Sequence, residues 1–119
     1  MGGLVAVLVL GSAVPAAADS LCAEPIAPAS VDGSTATADQ LKANLADVKT
    51  FIKQSDDFQD CLNREYVAAL DDAKKNKKDP DPAWDTTRKN KIEANQALKE
   101  KVGAEYNAAA HAYMAKHPG

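Results

Sequence analysis

The tetrapeptide Asp79-Pro80-Asp81-Pro82 separates two long stretches of helical period, and no other feature restricts the possible folds as tightly. On its N-terminal side, Leu41, Leu45, Val48, Ile52, Ser55, Gln59, Leu62, Tyr66, Ala69 and Ala73 recur in alternating steps of four and three. Phe51, Phe58 and Leu70 widen that stripe. On the other side the stripe runs through Trp84, Arg88, Ile92, Asn95, Leu98, Val102, Tyr106, Ala109 and Tyr113. Thr37-Ala38-Asp39-Gln40 has the pattern of a capping box, in which hydroxyl and amide side chains satisfy each other's backbone N–H groups and start a helix. Asp81 suits an N-cap and Pro82 the first helical position, so the second helix starts directly after the turn. A turn this short makes consecutive helices antiparallel neighbours. The expected fold is all-α: a long antiparallel two-helix hairpin over residues 37–117, with helices at about 38–76 and 82–116.

Several residues in the stripes are not apolar. Ser55 and Gln59 interrupt the first one next to Cys61, where the segment preceding the first helix, an arm, is expected to pack. Asn63 and Asn95-Gln96 face the seam, where a buried amide hydrogen bond would set the register. Gly103 costs the second helix about 1 kcal/mol against Ala, and is expected to mark a close helix contact.

Composition limits what this hairpin can enclose. The chain has 119 residues, enough for one domain, and Ala supplies much of its 45% apolar content while aromatics make up 5%. Ala buries little area, so a thin seam is expected instead of a deep core with a substrate cavity. Fourteen basic and 17 acidic residues are interleaved for a net charge of -3, a balance that does not point to nucleic acid.

The N-terminus has the marks of an export signal. An uncharged apolar run, Leu4 to Leu10, is followed by Gly11, Ser12, Pro15 and the small-residue site Ala16-Ala17-Ala18. Signal peptidase admits only small side chains there, so residues 1–18 read as a signal peptide and Asp19 as the first mature residue. The run is shorter than the roughly 20 residues of a membrane span, so no transmembrane anchor is expected after cleavage. The expected location is exported, either periplasmic or secreted.

Export gives the cysteines a meaning. Cys22 and Cys61 are the only two, so a single intramolecular disulfide is expected. Residues 19–36 contain Pro25, Pro28 and Gly33 and read as an extended, Pro-rich arm. Cys61 lies roughly 35 Å along the first helix, and the chain from Cys22 to Thr37 spans about 50 Å when extended. The arm can therefore fold back along the first helix and be tethered at its middle.

Chemistry-bearing constellations are sparse. His111 and His117 are six apart, an offset that does not place both on one helical face. Asp56-Asp57, Asp60 and Asp71-Asp72 lie among lysines, where ion pairing accounts for them better than acid/base catalysis. No catalytic residue, metal site or cofactor is assigned. Lys74, Lys75, Lys77 and Lys78 complement the C-terminal dipole of the first helix and are the candidate anion patch. One seam cannot cover all of Phe51, Phe58, Trp84, Tyr106 and Tyr113, so these aromatics are the expected interaction face.

The leader, the arm with its Cys and prolines, Phe58-Gln59-Asp60-Cys61-Leu62, the Lys-rich turn, Ile92-Glu93-Ala94-Asn95-Gln96 and Lys99-Glu100-Lys101-Val102 resemble small exported helical proteins of proteobacteria that have no assigned activity. That resemblance implies export and a helical layout, and no catalytic residue. Cys61-Leu62-Asn63-Arg64-Glu65-Tyr66 is similar, more distantly, to exported helical lysozyme inhibitors. The expected function is a non-enzymatic exported module that binds a protein partner, an envelope component or a second copy of itself. An inhibitor of a cell-wall hydrolase is the alternative, with a small-ligand carrier or enzyme behind it.

Overall fold

The computed structural model describes Gly3 and residues 20–118. The signal segment read at residues 1–18 therefore lies, Gly3 apart, outside the described residues. Two helices form the hairpin, α1 (Ala38–Lys75) and α2 (Pro82–Lys116). No strand occurs among the described residues.

Local chemistry sets the ends of both helices. The Gln40 amide N–H donates to Thr37 Oγ1 at 3.1 Å, and the Thr37 amide donates to Gln40 Oε1 at 2.9 Å, which completes the capping box. Asp81 caps α2 by accepting from the Ala83 amide at 2.9 Å, with Pro82 in the first turn. At the other end of α1, the Lys78 amide donates to the Ala73 carbonyl at 2.9 Å and the Lys77 amide to the Lys74 carbonyl at 3.2 Å. These two bonds form a Schellman motif, and its left-handed position is held by Lys77, at φ 52°. A side chain carrying Cβ is disfavoured there, whereas glycine is not. Lys77→Gly should therefore stabilise the protein by about 0.5–1 kcal/mol, and Lys77→Ala should leave it nearly unchanged, in urea melts of both variants.

The arm forms a third element of the core. From Ser20 to Val31 it runs extended, antiparallel to α1, from the level of Glu65 to the level of Asn44. The nine residue steps of extended chain from Ser20 to Ala29 cover about 30 Å, and the 21 helical steps from Asn44 to Glu65 rise by about the same distance. The main cluster of buried residues is Val48, Phe51 and Val102, with Ala27 of the arm and Ile52, Leu98 and Tyr106 of the helices packed against it. Beyond Val31 the chain turns at Asp32, whose carbonyl accepts from the amides of Thr35 and Ala36. The Ser34 hydroxyl and amide both donate to Asp32 Oδ1, and these bonds hold the Asp32 carboxyl below its ordinary pKa. Gly33 sits where this turn meets α2, and any Cβ there would overlap the Ala109 carbonyl.

Two expectations are corrected here. The buried face of α1 consists of Asn44, Val48, Phe51, Ser55, Phe58 and Leu62, while Leu41, Leu45 and Ile52 are only partly covered. The face is rotated toward Phe51 and Phe58 because the arm packs on that side. Gly103 does not mark a close helix contact: nothing lies within 4 Å of a Cβ built on it. With open space available and only helix propensity at stake, Gly103→Ala should raise stability by about 1 kcal/mol, read as a higher urea midpoint at constant m.

Candidate functional site

The features that distinguish this hairpin from a bare pair of helices gather around the point where the arm is tethered. Cys22 and Cys61 form a disulfide with their Cα atoms 5.8 Å apart, closing a sequence separation of 39 residues. One turn along α1 from Cys61, Glu65 reaches the same point. It accepts a hydrogen bond from Ser20 Oγ at 2.5 Å and another from the Leu21 amide at 2.9 Å. Its Oε1 also lies 3.0 Å from Cys22 Sγ. The bridged sulfur carries no proton, so this is a contact and not a hydrogen bond. The Cys22 amide closes the cluster by donating to Ser20 Oγ at 3.1 Å. At the far end of the arm, the buried Asn44 donates from Nδ2 to the Ala29 carbonyl at 3.1 Å. Between these two clamps a groove of about 440 Å³ separates arm from helix, lined by Pro25, Ile26, Gln54, Asp57, Phe58 and Cys61. Ile26 projects outward from it and is 89% exposed.

A polar layer crosses the seam at the same level. Ser55, fully buried, accepts from Asn95 Nδ2 at 3.1 Å, and Gln59 Nε2 donates to Asn95 Oδ1 at 2.8 Å and to Gln96 Oε1 at 3.3 Å. Ser55 and Gln59 therefore bond to α2 and do not receive the arm, because Asn95 offers the donor and the acceptor that the pair requires. A register one residue away would strand these buried polar groups, so the layer sets the alignment of the two helices. Lys99 reinforces it with an ion pair to Asp56 across the seam.

From the tether toward the turn, the packing changes. The last buried residue of α1 is Leu62 and the first of α2 is Asn95, so no residue of either helix is fully buried on the turn side of Ser20, where the described part of the arm begins. Tyr66, Ala69, Leu70, Ala73, Trp84 and Arg88 are only half-covered, and Val67 is 55% exposed. Arg88 occupies the seam here with its guanidinium 4.5 Å from the Tyr66 ring centroid, donating to Asn63 Oδ1 at 3.1 Å and Asp85 Oδ1 at 2.7 Å. Hydrogen bonds from Arg88 and then Lys89 hold the Asp85 carboxyl below its ordinary pKa. The stabilisation from that depressed pKa is present above the ordinary carboxylate value, and is lost as pH falls through the lowered one. Trp84, Ala69 and Ala73 line a depression of about 350 Å³ at the turn.

The five aromatics expected as one interaction face do not form one. Phe51 and Phe58 are 1% and 3% exposed, so neither is available to a partner. The arm covers them, and the sequence periodicity of the helices carries no information on where an extended arm will lie. Tyr106 packs on the core cluster, and Tyr113 stacks on His117 with ring centroids 4.2 Å apart. Trp84 remains, half-covered, at the opposite end of α2 from Tyr113. Lys74, Lys75, Lys77 and Lys78 are all exposed around the turn, with Asp79 and Asp81 beside them. Asn63 is exposed and serves Arg88 instead of the buried layer.

Two residues that hold the arm, Glu65 and Asn44, were not singled out from the sequence. Asn44 lies outside the apolar stripe, although its position one turn before Val48 gives it a place on the face that the arm covers. Glu65 lies four residues after Cys61, a helical spacing that puts both on one side of α1, and this spacing was the available signal.

No helix among the described residues is long and apolar enough to cross a membrane. Comparison with protein-family models, curated proteins and solved structures finds no match.

Proposed function

We propose that this protein is a non-enzymatic, exported helical module that docks on protein, either a partner or a second copy, through the turn-proximal half of its hairpin. The observation that carries this reading is the abrupt end of full burial at Leu62 and Asn95. On one side of that boundary three elements enclose a core. On the other, among the described residues, only the two helices meet, with Tyr66, Leu70 and Trp84 half-covered and Val67 exposed. Apolar surface left open over several helical turns is characteristic of interaction surfaces. The disulfide and the leader-like N-terminus support export, since a lone bridge persists in oxidising compartments.

Trp84 is the only tryptophan, so its emission reports on this half of the molecule alone. Sedimentation across a concentration series, combined with Trp84 fluorescence during titration with envelope extract, tests the reading. Concentration-dependent mass, or a blue-shifted Trp84 emission on titration that Val67→Asp abolishes, is the expected result. A monomer at every concentration with unchanged Trp84 emission would overturn it.

A further inference from the structure

We propose that Cys22, Cys61 and Glu65 form a second, reduction-dependent tether for the arm: a binding site for a thiophilic divalent cation such as Zn²⁺. The two sulfurs and a Glu65 carboxylate oxygen all lie within 4.8 Å of one another. In a tetrahedral zinc site, bonds of about 2.3 Å to sulfur and 2.0–2.2 Å to oxygen put the donor atoms roughly 3.6–3.8 Å apart. The Cys22 and Cys61 Cα atoms, 5.8 Å apart, permit that separation once the sulfurs are no longer bonded to each other.

The disulfide brings the two sulfurs together, and Glu65 is held beside them by hydrogen bonds of its own. Ser20 Oγ and the Leu21 amide orient the Glu65 carboxylate, as outer hydrogen bonds orient ligands in metal sites. Ser20 and Cys22 are joined by their own hydrogen bond, which ties the group that orients Glu65 to the arm's one ligand. The arm also has anchors that do not depend on the bridge. Ala27 packs on the Val48–Phe51–Val102 cluster, Ala29 is bonded to Asn44, and Gly33 abuts Ala109. These limit how far Cys22 can stray from Cys61 once the bond is broken, while the part of the arm next to the tether loosens.

In the oxidised chain both sulfurs are used in the bond and the site is closed. Thiol–disulfide exchange with a dithiol reductant opens it: the Cys22–Cys61 bond breaks, two cysteine thiols form, and the reductant is oxidised to its own disulfide. Binding the cation then releases the two thiol protons and leaves two thiolates and one carboxylate around a 2+ charge, with water completing the shell. Without the cation, the two thiols keep their protons and no bond ties Cys22 to Cys61. With it, the arm stays tethered in the reduced chain.

Co²⁺ serves as a spectroscopic probe for this site, added anaerobically to the reduced protein. The expected result is one Co²⁺ per chain with a thiolate-to-cobalt charge-transfer band and tetrahedral d–d bands. The Cys22→Ser/Cys61→Ser variant should lose them entirely. Glu65→Gln should weaken binding by about tenfold or more while keeping the bands and the helical circular dichroism. Zn²⁺ should displace Co²⁺ and slow reaction of the thiols with an alkylating reagent. Equal Co²⁺ binding by the reduced wild type and the double serine variant would overturn the proposal, as would undiminished affinity in Glu65→Gln. A reduced chain that loses its helices and does not regain them with Co²⁺ would overturn it as well. These outcomes do not depend on whether the turn-proximal half docks on protein.

Discussion

Phe51→Ala should destabilise the protein by about 3–5 kcal/mol, the range for deleting a buried aromatic side chain. Phe51 is 1% exposed and lies among Val48, Val102, Ile52, Leu98, Tyr106 and Ala27, residues drawn from both helices and the arm. The three elements are held apart by different constraints: the polar layer fixes the helix alignment, and the disulfide with the Asn44 clamp fixes the arm. Collapse into the vacated space is therefore restricted, which places the penalty toward the upper end. Urea melts followed by circular dichroism would show a lower midpoint at constant m. Val67→Ala on the exposed face of α1 is the control, expected within about 0.5 kcal/mol of wild type. Comparable losses in the two variants would mean that the cluster around Phe51 is not the core.

Replacing both bridge cysteines by serine should cost about 4 kcal/mol, the loop-closure value for the 39-residue separation. The double replacement avoids leaving one unpaired thiol free to form intermolecular disulfides. The effect reaches further than the entropy of the unfolded chain, because the tether also keeps the arm over Phe51 and Phe58. When the arm loosens, part of the burial of Phe51 goes with it. The Phe51→Ala penalty measured in the double serine background should therefore be smaller than in the bridged protein, by more than the roughly 0.5 kcal/mol within which independent sites add. Strict additivity would show that the arm remains seated without its bridge. Both measurements use the same urea melts, with the oxidation state of the wild type confirmed by intact mass.

The interaction surface shifts in the same way once the arm is placed. Phe51 and Phe58 are attractive from sequence as exposed aromatics of a thin hairpin, and both are lost to that role when a third element covers them. Among the described residues, no third element covers the half of the hairpin near the turn. Trp84 and Val67, at that end, are the residues whose substitution separates docking from stability: neither is buried, so changes there should alter association and leave the fold intact.

What the amino-acid sequence determined by itself is everything that depends on neighbours a few residues apart. The Thr37–Gln40 capping box, the Asp81-Pro82 start of α2, the helix period and the short turn are local, and each appears where its residues require it. The single cysteine pair left one intramolecular bridge, and the reach of an extended chain was enough to lay the arm back along α1. Tertiary structure alone decided which side of α1 faces inward. A stripe of leucines with Val48 and Ile52 marks a broad arc of the helix, and the buried arc turned toward Phe51 and Phe58 because an extended segment without periodicity of its own packs there. The same contact made Asn44 and Glu65 into clamps, since a lone amide or carboxylate on a helix has no visible partner until the arm's backbone and Ser20 are brought to it. Gly103 and Gly33 show the distinction most plainly. Both are single glycines in the sequence, yet the first faces open space and the second lies against the Ala109 carbonyl, a difference set by how closely another backbone approaches.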